Sequence, residues 1–127
     1  MIPFSIIESD LPKELGADMV LVDLAAAVIC FSGTCYPALV GNETPRGEFV
    51  LEQIEVRSPK QYGGDILKFK ETKRYIFAVH RTWPGREGRY EQAPYQRRTI
   101  TLGCINVEPE VYAALVDCCN GVKLVIQ

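Results

Sequence analysis

The sequence predicts a mainly β single domain, a sandwich or barrel carrying one helix. Three observations predict it. β-branched and aromatic residues fall in short runs parted by glycine, proline and asparagine. One stretch, Pro109 to Cys119, repeats apolar residues at convincing helical spacing. The 127 residues suffice to bury one core and are too few for two. Residues 18–127 are expected to form this domain, with 1–17 an N-terminal segment packed on it.

Asp18 to Leu24 and Ala27 to Phe31 read as two strands of a meander, with a small-residue bend at Ala25 to Ala27 and a turn at Ser32-Gly33. An alanine-rich helix over 17–31 is the competing reading. Strands are preferred because Val20, Val22, Val28, Ile29 and Phe31 are β-branched or aromatic, and polar residues do not recur at helical spacing. Residues 41–47 form a loop by their glycines and Pro45. Glu48 to Val56 follows as a strand with one irregularity, and Ser58 to Asp65 as another loop. The next strand, Lys73 to His80, sets Tyr75, Phe77 and Val79 on one face and Ile76, Ala78 and His80 on the other. Arg81 to Gln96 is polar and broken by Pro84-Gly85, Gly88 and Pro94, a long loop of the kind that often carries function. β-type residues resume from Arg98 to Ile105. Pro109 suits the first turn of a helix that Asn120-Gly121 ends, and Val122 to Ile126 closes the chain as a strand.

Composition narrows the function classes. No apolar run approaches the ~20 residues of a membrane-spanning helix. The stretch Met1 to Glu8 lacks a basic region and is interrupted by Pro3, so it does not read as a secretory signal, and a complete chain would not leave the cytoplasm by the general route. Five cysteines, two of them adjacent, do not form the framework of a disulfide-rich secreted domain, and at least one thiol should be free. With a single histidine and no paired Cys-x-x-Cys elements, no metal site is expected. Charge is polarised: residues 57–98 hold eleven basic and four acidic side chains within a chain of net charge −2. Nucleic-acid binding would use such a segment, yet no helix-turn-helix, aromatic RNA-binding signature or zinc finger accompanies it. A basic rim around a site for anionic substrates accounts for the charges and includes His80.

The chemistry rests on joining His80 to Cys104. An ordinary thiol is mostly protonated at neutral pH, so a nucleophilic cysteine needs an imidazole beside it, and His80 is the only one available. Gly103 lets the backbone approach a substrate, and the helix after Cys104 is expected to aim amides where oxyanion charge develops. Cys30, Cys118 and Cys119 read as packing residues, and Cys35 as the one rival nucleophile.

The stretch Tyr75-Ile76-Phe77-Ala78-Val79-His80, a loop, and then Thr101-Leu102-Gly103-Cys104-Ile105-Asn106 resembles the active-site signature of the YkuD-type L,D-transpeptidase catalytic domain. Upstream, Leu21 to Leu24 and Thr44-Pro45-Arg46-Gly47-Glu48-Phe49 resemble that family's opening hairpin and its Thr-Pro-x-Gly-x-Phe element. The order and spacing agree over roughly residues 18–126. Thr101 stands where serine is usual, Leu102 where many members place a second histidine, and Arg81 where glycine is common. Asn106 replaces the more frequent arginine, in the Gly-Cys-Ile-Asn form of one branch.

The resemblance implies a YkuD-type β-sandwich or barrel and a peptidoglycan acyl transfer that uses no cofactor. Cys104 would attack the carbonyl of the L-centre to D-alanine bond in a stem tetrapeptide, with His80 as base. Gly103, Thr101 and Asn106 would serve the oxyanion or assist, and Arg81, Arg97 and Arg98 would grip stem carboxylates. An amine acceptor gives cross-linking or D-amino-acid exchange, and water gives L,D-carboxypeptidase action. The expected partners are peptidoglycan stem peptides, with no nucleic acid and no membrane span, and the site of action is the periplasm or cell envelope. The missing signal raises delivery by type VI secretion or phage, as a toxin effector with an immunity protein or secretion partner. A binding module that keeps the fold without catalysis is the reading from another class.

Overall fold

A computed structural model of the chain describes residues 19–57 and 62–127. The expected packing of 1–17 lies outside the described residues, as does part of the loop after Val56. β1 (Met19–Asp23) and β2 (Val28–Phe31) pair antiparallel around the predicted bend, and β3 (Thr34–Pro37) follows β2 as a hairpin. Ser32 and Gly33 at its tip have φ of 52° and 81°, the two-residue turn whose twist matches the strands it joins. β4 (Gly47–Val50) and the closing strand β9 (Lys123–Ile126) complete a five-stranded sheet, in the order β3-β2-β1-β9-β4, with β9 parallel to β1.

The second sheet has the order β5-β6-β7-β8, from Glu52–Glu55, Asp65–Glu71, Ile76–Arg81 and Ile105–Val107. The predicted strand 48–56 is thus two strands in different sheets. Its irregularity is Leu51, fully buried, whose N–H donates to the Val122 carbonyl at 3.0 Å and so turns the chain between layers. β6 had no counterpart in the sequence reading. Its Ile66, Leu67 and Phe69 are buried while Lys68, Lys70 and Glu71 reach outward and weaken the apolar signal. The predicted β segment 98–105 is largely turn, with an isolated bridge between Gly41 and Thr101, and the strand begins only at Ile105.

One apolar cluster joins Val20, Val22, Ile29, Leu124 and Ile126 of the first sheet to Leu67, Val79 and Ile105 of the second. The helix Pro109–Cys119 adds Val111, Tyr112, Leu115 and Cys119, the face its spacing predicts. Full burial of each such side chain contributes about 1.5–3 kcal/mol. Two short pieces, a 3₁₀ turn at Glu87–Glu91 and α1 at Pro94–Arg97, structure the loop after β7, so the long helix is α2. No helix among the described residues is long and apolar enough to cross a membrane.

The cysteine reading needs correction. Cys30 and Cys35 are opposed in the β2–β3 register and form a disulfide, and Cys118 and Cys119 form another at the end of α2. Cys35 therefore has no thiol to offer as a rival nucleophile. Of the five cysteines, all among the described residues, Cys104 alone is unpaired.

Candidate active site

β7 and β8 run parallel with His80 opposite Asn106 and Val79 opposite Ile105. This register brings the strand-end histidine to the asparagine, and it sets Cys104, one residue before β8, beside the middle of β7. Both strands are buried at this point: His80 is 2% exposed and Asn106 fully enclosed.

Hydrogen-bond directions fix the state of the imidazole. A guanidinium only donates, so the Arg86 Nη1 contact at 2.9 Å identifies Asn106 Oδ1 as the acceptor. Asn106 Nδ2 then faces His80 Nε2 at 3.2 Å as a donor, and Nε2 must accept. The ring proton is left on Nδ1, which donates to the Arg81 carbonyl at 2.8 Å. Tyr62 packs edge-on against the His80 ring at 4.8 Å and Trp83 lies 6.1 Å from it. Burial in this aromatic setting lowers the imidazole pKa to about 4, helped by the Arg86 charge and opposed by the Arg81 carbonyl. The histidine is a neutral acceptor at pH 7.

Cys104 Sγ lies 3.6 Å from the Ile76 carbonyl, which its thiol donates to, and its hydrogen bond goes there rather than to His80. Burial pushes the thiol pKa up, against the opposing influence of the Ala78 backbone and Arg86. Cys104 and His80 nevertheless line one cavity of about 300 Å³, together with Asn106, Arg86, Trp83 and Gly103. A neutral thiol and a neutral imidazole thus line one cavity, the thiol bonded to the Ile76 carbonyl and the imidazole Nε2 to Asn106.

The turn carrying Cys104 is held from below. Thr44, 6% exposed, accepts from the Gly41 N–H and donates to the Gly103 carbonyl, both at 3.0 Å. Thr101 Oγ1 donates to the Cys104 carbonyl at 2.6 Å and closes the turn. In a trans peptide the carbonyl of one residue and the N–H of the next point in opposite directions. With the Gly103 carbonyl drawn to Thr44, the Cys104 N–H points away from it. Among the described residues the N–H groups of Gly103 and Cys104 carry no hydrogen bond. A Cβ on Gly103 would sit 2.5 Å from the Phe77 ring, and one on Gly41 would meet the Thr101 carbonyl at 1.9 Å, so close packing requires both glycines. The start of α2 is five residues of mostly extended chain beyond Cys104, about 16 Å away. It does not supply the amides expected of it.

The arginines divide differently from the sequence expectation. Arg81 turns from the cavity to pair with Asp65 Oδ1 at 2.9 Å, bond the Tyr62 carbonyl and stack over the Tyr112 ring at 4.2 Å. Arg97 is buried and bonds the carbonyls of Gln92, Ala26 and Ala27. Arg98 is exposed and lines neither this cavity nor the groove beside it. Arg86, which sequence reasoning passed over within the basic loop, lies over the Trp83 ring at 4.8 Å and lines both spaces. No local pattern marks Arg86 or Thr44, since each finds its partner far along the chain.

No family model matches the sequence, and no curated protein does. Solved structures are similar in fold. An L,D-transpeptidase from Mycobacterium smegmatis matches 87% of this chain and 58% of its own, at 22% identity and a TM-score of 0.57. An L,D-transpeptidase from Enterococcus faecium matches 87% and 50%, at 16% identity and a TM-score of 0.64. Another L,D-transpeptidase, in complex with imipenem, matches 87% and 59%, at 18% identity and a TM-score of 0.59. The chain thus spans between 50% and 59% of the length of these three. The two-sheet, mainly β chain has the fold of the L,D-transpeptidases.

Proposed function

We propose that the protein is a cysteine acyltransferase acting on peptidoglycan stem peptides, with Cys104 as nucleophile and His80 as general base. One observation carries the reading. The single unpaired thiol shares a cavity with the single imidazole, whose Nε2 is kept as an acceptor by Asn106 and Arg86.

As Asn106 Nδ2 gives up the single lone pair of His80 Nε2, the thiol proton leaves the Ile76 carbonyl for that nitrogen while sulfur attacks the scissile carbonyl. Because burial favours both neutral partners, transfer accompanies C–S bond formation instead of preceding it. The N–H groups of Cys104 and Gly103 receive the oxyanion, oriented by Thr44 and Thr101. The imidazolium then gives its proton to the departing amine, the C–N bond breaks, and a thioester remains on Cys104. An amine acceptor resolves it to a new amide and water resolves it to an acid, either way returning the thiol. Arg86 takes the role of carboxylate holder expected of Arg81, Arg97 and Arg98. The substrate bond is the L-centre to D-alanine bond of a tetrapeptide stem, and the site of action is the cell envelope.

The imipenem complex of a structural neighbour suggests the experiment. Incubation with a carbapenem should give one adduct by intact mass, absent from Cys104→Ala and slowed in His80→Ala. No adduct on the unaltered protein, or one persisting in Cys104→Ala, overturns the proposal. Digests of purified muropeptides then separate transfer from hydrolysis.

A further inference from the structure

The five exposed large apolar side chains among the described residues are Val50, Tyr75, Ile76, Tyr95 and Leu102. Three of them, Tyr75 at 56%, Ile76 at 45% and Leu102 at 81% exposure, converge on the mouth of the Cys104 cavity. Scattered exposed hydrophobics need no explanation, whereas a cluster around a reactive group does. Phe77 extends the same wall inward, 6.2 Å from the Tyr75 ring.

The position of this wall along β7 gives it a direction. Ile76 and His80 are four residues apart on the strand, about 13 Å by the strand rise. The thiol contacts the Ile76 carbonyl and lies beside Ala78, between those two ends. The departing amine must receive its proton from His80, so the leaving residue lies toward the His80 and Arg86 end. The residue that supplies the scissile carbonyl is then left with the other end. Among the described residues Arg86 is the only lysine, arginine, aspartate or glutamate on the cavity wall, and it stands at the His80 end.

We infer that Tyr75, Ile76 and Leu102 form the subsite for the side chain of the residue contributing the scissile carbonyl, and that they select a methylene-rich side chain there. This rests on the acyl-transfer reading and adds the orientation of the substrate and the chemistry of one subsite. Leu102 is the specificity-determining residue, since it is the most exposed of the three and its turn is pinned independently by Thr44 and Thr101.

The test uses acetyl-X-D-alanine peptides with X as L-alanine, L-2-aminobutyrate, L-norvaline or L-norleucine, a neutral series lengthened by one methylene at each step. Trp83, the only tryptophan, lines the same cavity, so its fluorescence reports binding to the Cys104→Ala protein without turnover. Affinity should rise about fourfold per methylene, the value of one buried CH₂. Leu102→Asn should reduce the step to about twofold or less, and Leu102→Met should retain it. Affinity independent of chain length overturns the inference, as does a slope unchanged in both Leu102→Asn and Ile76→Thr. Failure to detect binding of the norleucine peptide also overturns it. A missing carbapenem adduct would instead defeat the acyl-transfer proposal and leave the binding series to be judged separately.

Discussion

Two arginine-centred networks lie on the two faces of β7, and they differ in what the guanidinium holds: a carboxylate of the scaffold on one, an asparagine of the cavity on the other. On one face Arg81 is tied to the scaffold: its Nη1 pairs with Asp65 and bonds the Tyr62 carbonyl, and its guanidinium lies over the Tyr112 ring. Burial pushes the Asp65 carboxyl pKa up, but donors from Gln53, Tyr112 and Arg81 bring it below its ordinary value. On the other face Arg86, among the described residues, makes one side-chain hydrogen bond, to Asn106, and lies over Trp83 at the cavity wall. Arg81 adjoins His80 in sequence and serves the scaffold, whereas Arg86 is six residues away and reaches the imidazole through Asn106. Neighbours on a strand point to opposite faces, so adjacency to a catalytic candidate argues against a shared cavity.

The largest expected effect concerns the buried imidazole of the cavity face. Its folded pKa of about 4 lies below the ordinary 6.5, so the unfolded chain takes up the proton first. The corresponding stability is complete above pH 6.5 and declines as pH falls toward 4, by about 3 kcal/mol in all. Denaturant melts at pH 7, 5.5 and 4 should show this slope, and His80→Gln should flatten it. An equal slope in both proteins would contradict the burial argument.

Breaking the scaffold face comes next. Arg81→Ala leaves Asp65 without its cation and should lower stability by about 2 kcal/mol, less than a fully enclosed pair because both groups are partly exposed. Carbapenem acylation by the folded fraction should change little. The reverse outcome, intact melting with lost acylation, would return Arg81 to the site. Arg86→Met should do the opposite: acylation slowed about tenfold, equivalent to roughly 1.4 kcal/mol, with Tm within about 2 °C. Thr44→Val should cost about 1 kcal/mol and slow acylation, and Thr44→Ser should restore both by restoring the hydroxyl. The smallest effect belongs to Arg98→Ala, expected within about 0.5 kcal/mol and without influence on acylation rate.

Much of this was legible in the chain. The β-branched runs at Val20 to Val22 and Val28 to Phe31, the turn at Ser32-Gly33, and the helix between Pro109 and Asn120 all follow from local rules. The order of a strand-end histidine and a cysteine in a turn came from the resemblance, and the fold brings both to one cavity. Less legible was whatever depended on which faces meet. The charged residues of β6 masked its alternation, Ile100 and Thr101 carry β propensity yet bond to a loop, and Cys30 meets Cys35 only through hairpin register.

Local periodicity and turn chemistry by themselves determined a mainly β domain, its single long helix and a short list of reactive groups. They act over a few residues and need no partner to be read. Tertiary structure alone decided that β1 pairs with β9, that Arg86 rather than Arg81 reaches the imidazole, and that Thr44 holds the turn of a thiol sixty residues away. Those outcomes depend on strand register and on which buried polar group finds a partner, and a buried donor or acceptor is satisfied by whatever the fold brings to it.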